Sequence, residues 1–263
     1  MSASYRIFDI TLKSKTLISS SLVRCVFEGA DIHRMKLEAP DQRIKLLFPA
    51  ADGKIPQLVN SSDWYGDYMA IPKEQRPVMR TYTLRALRRE QNQMDVEFVL
   101  HGVNGPASAW ATHAEPGDTI QTVAPNGDFD GDSGGYEWAP PAQLQQALLI
   151  ADETAVPAAM AILEQLAQQA LKLAHWLQQQ GTLAGDRVAI SLPKGPQQAI
   201  AVLGVLAAGA SWVPIGIDQP QARKQAILQR ADVRLVLDQD TPLTGDQAVQ
   251  TDVAALAHPV AIS

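Results

Sequence analysis

Arg80-Thr-Tyr-Thr-Leu-Arg85 is the stretch on which the fold turns. In an extended strand alternate residues share a face, so Arg80, Tyr82 and Leu84 point one way and Thr81, Thr83 and Arg85 the other. A strand of this kind lays an aromatic ring against a planar cofactor while a neighbouring threonine hydroxyl or backbone amide reaches the cofactor's ring nitrogens. Downstream come VEFVLHG (Val96–Gly102) and GPASAWA (Gly105–Ala111). The Gly-Pro-Ala-Ser turn opens a helix whose free N–H groups and dipole suit a pyrophosphate. Ser108 can add a hydroxyl and Arg80 a guanidinium fork. Taken singly, each piece is as readily an edge strand with surface arginines or an ordinary helix start; the order of the three points to a cofactor site.

Around this stretch the signals are those of short strands. RIKLLF (Arg43–Phe48), TYTLRAL (Thr81–Leu87), MDVEFVL (Met94–Leu100) and TIQTVA (Thr119–Ala124) are apolar or alternating runs bounded by Gly, Pro and Asp. They predict an antiparallel barrel or sandwich, interrupted by a helix over Gly105–Ala114. After Pro141 strands and helices alternate: a strand at Ala147–Ala151, a helix from about Ala155 to Gln180, and a strand at Arg187–Leu192. Next come a helix at Pro196–Ala208, a strand at Ser211–Pro214, a helix at Gln219–Ala231 and a strand at Val233–Leu237. This alternation predicts a parallel sheet in which ALLIA, VAISL, SWVPI and VRLVL pair. Residues 241–263 carry weak signals.

The composition has a seam where the periodicity changes. All five Phe and all five Tyr precede position 137, and the last Glu is Glu164. Of the glutamines, nine fall in the first 164 residues and fifteen in the remaining 99. The first 168 residues hold 15 Lys+Arg against 21 Asp+Glu, the rest 7 against 7. These changes predict a boundary near 165–170, in a chain of 263 residues with room for one or two domains. The single cysteine, Cys25, excludes an internal disulfide framework and any Cys-x-x-Cys metal site. A net charge of −6 argues against nucleic acid as a general partner. No apolar run reaches the ~18 residues of a membrane span. The opening MSASYRIFDITLK lacks the charged-then-apolar layout of an export signal, which predicts a cytoplasmic protein.

Six motifs carry a resemblance over about residues 1–165: DQRIKLLFP (Asp41–Pro49), RPVMRTYTLR (Arg76–Arg85), VEFVLHG, GPASAWA, PGD (Pro116–Asp118) and LLIADETAVPAAMAILE (Leu148–Glu164). This half resembles the siderophore-interacting proteins, ferredoxin-reductase-like flavoproteins that reduce ferric siderophores. The resemblance implies an FAD-binding β-barrel at residues 1–135, then a linker and the start of a nucleotide-binding domain at 136–168. It also implies FAD as cofactor, NADPH or NADH as reductant and an anionic ferric siderophore as partner. Carried over by position, Tyr82 packs on the isoalloxazine and Thr83 bonds near its reactive nitrogen. Arg80, Ala107 and Ser108 hold the pyrophosphate, and Val99, Leu100 and His101 line the adenosine side. Asp152, Glu153 and Thr154 would touch the pyridine nucleotide, in a turn where the family's first glycine is here Ala151.

His101 reads as a structural hydrogen-bonder rather than a proton donor. Flavin chemistry needs no protein base, so no catalytic residue and no metal ligand is expected. Lys73, Arg76, Arg80, Arg85, Arg88 and Arg89 fall within seventeen residues opposed only by Glu74. Two readings stand for Lys73, Arg76, Arg85 and Arg88: a basic rim concentrating an anionic siderophore, or a solvated strand-and-turn face. The aspartates of NGDFDGDSGG (Asp128, Asp130, Asp132) lack the glycine and glutamate positions of a calcium loop and read as a flexible linker.

Beyond Glu164 the text changes. GDRVAISLPKGPQQAIAVLGVLAAGASWVPIGIDQPQAR (Gly185–Arg223) and ADVRLVL (Ala231–Leu237) resemble the amino-terminal part of a nonribosomal peptide synthetase adenylation domain, over about residues 166–240. That family's Ser/Thr/Gly-rich phosphate loop is absent, so acyl adenylation is not expected. A fusion that shortens two siderophore-cluster genes accounts for both halves, with a truncated or chimeric α/β segment at 169–240. The expected function is a flavin-dependent ferric-siderophore reductase; the alternative is a non-catalytic flavin- or siderophore-binding fusion product. Oligomeric state is not read from the sequence.

Overall fold

The computed structural model describes residues 3–50, 53–54, 57–140 and 148–239. Seven strands form one antiparallel sheet: β1 (Tyr5–Leu17), β2 (Leu22–Glu28), β3 (Arg43–Phe48), β4 (Val78–Thr83), β5 (Ala86–Arg88), β6 (Gln93–Val99) and β7 (Thr119–Pro125). Their spatial order is β4-β3-β7-β1-β2-β6-β5. The two ends of that order are consecutive pieces of chain. Leu84 N–H still donates to Gln42 O on the β3 side (2.7 Å), whereas Arg85 N–H donates to Asp95 O on β6 (2.9 Å). The sheet therefore curls until its edges meet in one peptide unit, and the expected antiparallel barrel is the observed architecture. The single strand expected at Thr81–Leu87 is two strands, because the chain changes partner midway.

Alternation builds the barrel core. Phe8, Ile10 and Leu12 of β1, Val23, Cys25 and Phe27 of β2, Ile44, Leu46 and Phe48 of β3, and Met94, Val96 and Phe98 of β6 point inward and are nearly inaccessible. Burying side chains of this size contributes roughly 1.5–3 kcal/mol each. Helix α2 (Pro106–His113) lays Ala107 and Ala111 on this core, with Ala114 just beyond its end, the one-face spacing of a packed helix. Lys15 Nζ donates to Thr112 O near the end of α2 (3.0 Å), a cation at the negative end of the helix dipole. On the outer face, helix α1 (Trp64–Ala70) sets Trp64 and Tyr68 over Ile7, Leu47 and Val123.

The NGDFDGDSGG segment is no free linker. Arg43 N–H donates to Gly135 O (2.7 Å), and Gln42 Nε2 to Gly134 O (2.9 Å). Asp41 Oδ2 accepts the N–H groups of Glu137 and Trp138 at 2.8 and 2.9 Å. Asp128 pairs with Arg34, and Asp132 accepts from Gly134 N–H and the Tyr136 hydroxyl. A Gly/Asp-rich composition marks where the chain turns; it does not say whether the turned chain finds partners, and here the lead-in to β3 supplies them.

The chain divides into two compact units, residues 1–139 with 150–162, and 140–149 with 163–263. From α3 (Val156–Gln179) onward, β8 (Arg187–Ile190), α4 (Pro196–Ala207), β9 (Ser211–Pro214), α5 (Gln221–Arg230) and β10 (Leu235–Leu237) keep the expected alternation. The sheet is parallel, in the order β10-β8-β9. Leu173, Ala174 and Leu177 of α3 pack with Ile200, Ala201 and Val205 of α4 over Val188 and Ile190 of β8. The expected strand at Ala147–Ala151 is not formed by its described part. Residues 148–151 have no strand partner, and Leu148 and Ile150 are 83% and 86% exposed. An apolar run registers hydrophobicity, but a strand exists only where a neighbouring backbone takes its hydrogen bonds. The tail expected at 241–263 lies outside the described residues. Among the described residues no helix is long and apolar enough to cross a membrane.

Candidate functional site

Tyr82 sits near the end of β4, opposite Ile44 of β3, with Arg80 opposite Leu46 and Thr83 opposite Arg43. Its half-buried ring lies 4.6 Å from the Phe98 ring and 6.4 Å from Phe48. Trp110 of α2 continues the group, 6.0 Å from Phe98 and 5.7 Å from Phe48. Burial pushes the Tyr82 hydroxyl up to about 12, against the opposing pull of the Arg80 charge. Among the described residues neither the Tyr82 nor the Thr83 hydroxyl has a hydrogen-bond partner. Arg80 is exposed, and its guanidinium donates to Met79 O (2.8 Å).

Beyond β6, Leu100 N–H donates to Ser21 O (2.7 Å), and its side chain packs on the barrel core, as does that of Tyr82. The chain then loops over exposed His101 to Gly102, whose φ of +95° suits glycine. Ser108, 3% exposed, governs this loop. Its hydroxyl donates to Gly102 O (2.6 Å) and accepts His101 N–H (3.4 Å). The α2 ladder opens with Ala109 N–H donating to Gly105 O, and no side chain caps the helix start. The amides of Ala107 and Ser108 precede that ladder, so their N–H groups are available to an acceptor. Ser108 acts on the loop through its hydroxyl, a part the sequence motif did not separate from phosphate contact. His101 is held through its backbone.

The structure brings Tyr82, Leu100 and Ala107 onto one core, with Thr83, Val99 and Ser108 their chain neighbours. A ring platform, unpartnered hydroxyls and leading helix amides suit a flavin nucleotide, which needs an aromatic neighbour for its ring system and N–H donors for its phosphates.

Asp152, Glu153 and Thr154 are exposed and form the turn before α3. The Asp152 carboxylate accepts from the Thr154 hydroxyl (2.7 Å) and the amides of Thr154 and Ala155 (both 3.0 Å). Those bonds, the hydroxyl's first, hold it below the usual carboxylate range. Of the basic series, Lys73 is exposed. Arg76 donates to Ile71 O (3.1 Å) and lies over the Tyr68 ring. Arg89 donates to His33 O (2.7 Å). Arg85 and Arg88 meet two carboxylates that sequence reasoning missed. Glu97, 5% exposed, faces Arg85 and Arg24; Asp95, 6% exposed, takes Arg88 at 2.9 Å. The signal was present in MDVEFVL, where Asp95 and Glu97 alternate with the core residues Met94, Val96 and Phe98.

Residues 11–129 match the family model described as the siderophore-interacting FAD-binding domain, and residues 162–262 the one described as AMP-binding enzyme. Over 159 residues the chain is 31% identical to ferric vibriobactin reductase ViuB of Vibrio cholerae, covering 59% of this chain and 53% of that protein. Over 79 residues it is 51% identical to pyochelin synthetase PchE of Pseudomonas aeruginosa, covering 30% of this chain and 6% of the synthetase. The chain thus spans about half the length of the reductase and a small part of the synthetase. Its fold is shared with a siderophore utilization protein from T. fusca, with a TM-score of 0.51 and 20% identity over 89% of this chain and 81% of that one. The barrel region accordingly matches the siderophore-interacting FAD-binding domain, and the part that follows matches the AMP-binding model and resembles the adenylation domains of nonribosomal peptide synthetases.

Proposed function

We propose that this chain holds FAD on its barrel and moves electrons from NADPH or NADH to the iron of a ferric siderophore in the cytoplasm. The observation that carries the reading is the Tyr82–Phe98 platform beside the uncapped start of α2, within the residues that match the FAD-binding model. FAD held there would supply the redox chemistry, the taking up of a hydride from the reduced pyridine nucleotide and the delivery of single electrons to ferric iron. The protein's own part is placement. Tyr82 backs the ring system, and Thr83 donates a hydrogen bond beside it. Arg80 and the amides of Ala107 and Ser108 take the phosphates, and Val99, Leu100 and His101 flank the adenosine. Lys73 and Arg76 are the members of the basic series placed to draw in an anionic chelate, since Arg85 and Arg88 face the β6 carboxylates. Asp152, Glu153 and Thr154 are read as the pyridine-nucleotide side.

The test is direct. The purified chain is expected to be yellow with one FAD per chain, to be bleached by anaerobic NADPH and to regain its colour with a ferric catecholate. Replacing Tyr82 or Ser108 by Ala lowers the flavin content. A colourless chain indifferent to added FAD sinks the proposal. A second reading, a flavin or siderophore binder without turnover, is favoured by the 53% coverage of the reductase relative. Flavin that binds but is not bleached by NADPH selects it. Neither reading includes acyl adenylation, and pyrophosphate exchange with ATP and salicylate or cysteine is expected to be nil.

A further inference from the structure

The peptide units that close the barrel lie directly after the proposed flavin contacts. Leu84 turns its side chain into the core, fully buried, while its amide still bonds the β3 side. Arg85, 9% exposed, bonds β6 through its amide. β5 then pairs with β6 over only three residues, Ala86 to Arg88, a short ladder on which to hang the seam. Charge reinforces it. Glu97 Oε1 lies 2.9 Å from Arg24 Nε and 3.5 Å from Arg85 Nε, and Asp95, two residues earlier on β6, takes Arg88.

Buried ion pairs of this kind add little net stability compared with apolar packing, because desolvation offsets the attraction; their best-attested use is to fix one geometry. Arg24 and Arg85 share the Glu97 carboxylate but sit differently along the chain. Arg24 belongs to β2, in direct register with Glu97, and has no chain link to the flavin contacts. Arg85 is two residues from Thr83 and three from Tyr82.

We propose that Glu97, acting through Arg85, is a positioning residue for the flavin: it fixes the change of partner at Leu84–Arg85 and thereby the orientation of Tyr82 and Thr83. This rests on the FAD reading above. The sequence left Arg85 between a siderophore rim and a solvated face; its burial against Glu97 fits neither and points to the seam.

The experiment is an FAD titration of the full chain, with far-UV circular dichroism as a folding check. Glu97→Gln keeps the side chain's shape and removes its charge. It is expected to retain the fold, weaken FAD roughly tenfold, equivalent to about 1.4 kcal/mol, and move the bound-flavin absorption bands toward those of free FAD. Arg24→Gln breaks the other half of the same cluster and leaves affinity and bands at wild-type values. Arg85→Lys, which keeps a cation facing Glu97, recovers most of the affinity that Arg85→Gln loses. If Glu97→Gln does not fold, the double variant Glu97→Met/Arg85→Met removes both charges together and is expected to show the same weakening and band movement. Wild-type affinity and bands in whichever of these two variants folds overturn the proposal. So does an Arg24→Gln variant that matches Glu97→Gln in the flavin bands. A wild-type chain that takes up no FAD removes this proposal together with the FAD reading, whereas normal FAD uptake with an indifferent Glu97 variant removes this one alone.

Discussion

Gly134 and Gly135 are adjacent, both have positive φ, and only one of them is sterically confined. A Cβ at Gly135 (φ +82°) would stand 2.0 Å from the Tyr5 hydroxyl and 2.9 Å from Gln42 Nε2, whereas at Gly134 (φ +65°) it meets nothing within 4 Å. Left-handed backbone costs an L-residue roughly 1–2 kcal/mol at either site. At Gly135 the clash also dislodges the Tyr5 hydroxyl, which donates to Gly134 O (3.2 Å), for about another 0.5–1.5 kcal/mol. Gly135→Ala is therefore expected to lower the melting temperature clearly further than Gly134→Ala; equal shifts would show that the Tyr5–Gln42 contact carries no weight. A second residue-scale expectation concerns alkali. Burial raises the Cys25 thiol from 9.0, and the Tyr82 hydroxyl from 10.0, each to about 12. Above about pH 9 the unfolded chain gives up these protons while the native chain keeps them, so stability falls as pH rises through that window and is level below it. Urea titrations at pH 7, 9 and 10.5 read this directly, and Cys25→Ala should flatten the slope by the thiol's share. The candidate residues could be named at this scale only as types and order, with their roles implied by resemblance. The separate duties of Ser108 were not legible, because a hydroxyl's partner depends on how the preceding loop is folded.

Between elements, the contact of α3 with α4 depends on a missing side chain. A Cβ at Gly204 would lie 2.8 Å from Leu173 Cδ2 and 3.0 Å from Ala170 O. Alanine gains about 1 kcal/mol of helix propensity over glycine, but overpacking typically costs about 1–3 kcal/mol, and one of the opposing atoms is backbone. Gly204→Ala is thus expected to be neutral to destabilising by up to about 2 kcal/mol, measured by denaturant midpoint; a clear gain in stability would mean that the helices are free to separate. Period predicted β3, β6, β7, α2, α4 and β9, which lie where alternation, an apolar run or the helical repeat places them. Strands β1 and β2 and helix α1 were not singled out. In β1 both Ile7 and Phe8 are buried, Phe8 in the barrel and Ile7 under α1, which spoils simple alternation. The β1–β2 register also shifts between Leu12 and Ser14. Helix α1 has seven residues, none buried, too few for a repeat to show.

For the molecule as a whole, two compact units and one proposed ligand predict divided behaviour on heating. A ligand that binds only the native barrel stabilises it by RT ln(1 + [L]/Kd), roughly 2.7 kcal/mol at a hundredfold excess over Kd. Calorimetry should resolve two transitions, one moved upward by FAD and one indifferent to it. A single transition that shifts as a block would show that the chain unfolds as one cooperative unit. The alternation of strands and helices read from the sequence is borne out by the parallel sheet of β8, β9 and β10.

Local chemistry and periodicity were enough to determine the antiparallel half, the alternating half and the Gly-Pro opening of α2, because each depends on neighbours within a few positions. Only the folded chain decided that Thr81–Leu87 changes partner at Leu84, that Asp95 and Glu97 are buried against arginines, and that residues 148–151 stay outside the sheet. Those outcomes depend on which distant backbone or opposite charge is within reach, a property of three-dimensional proximity that spacing along the chain does not encode.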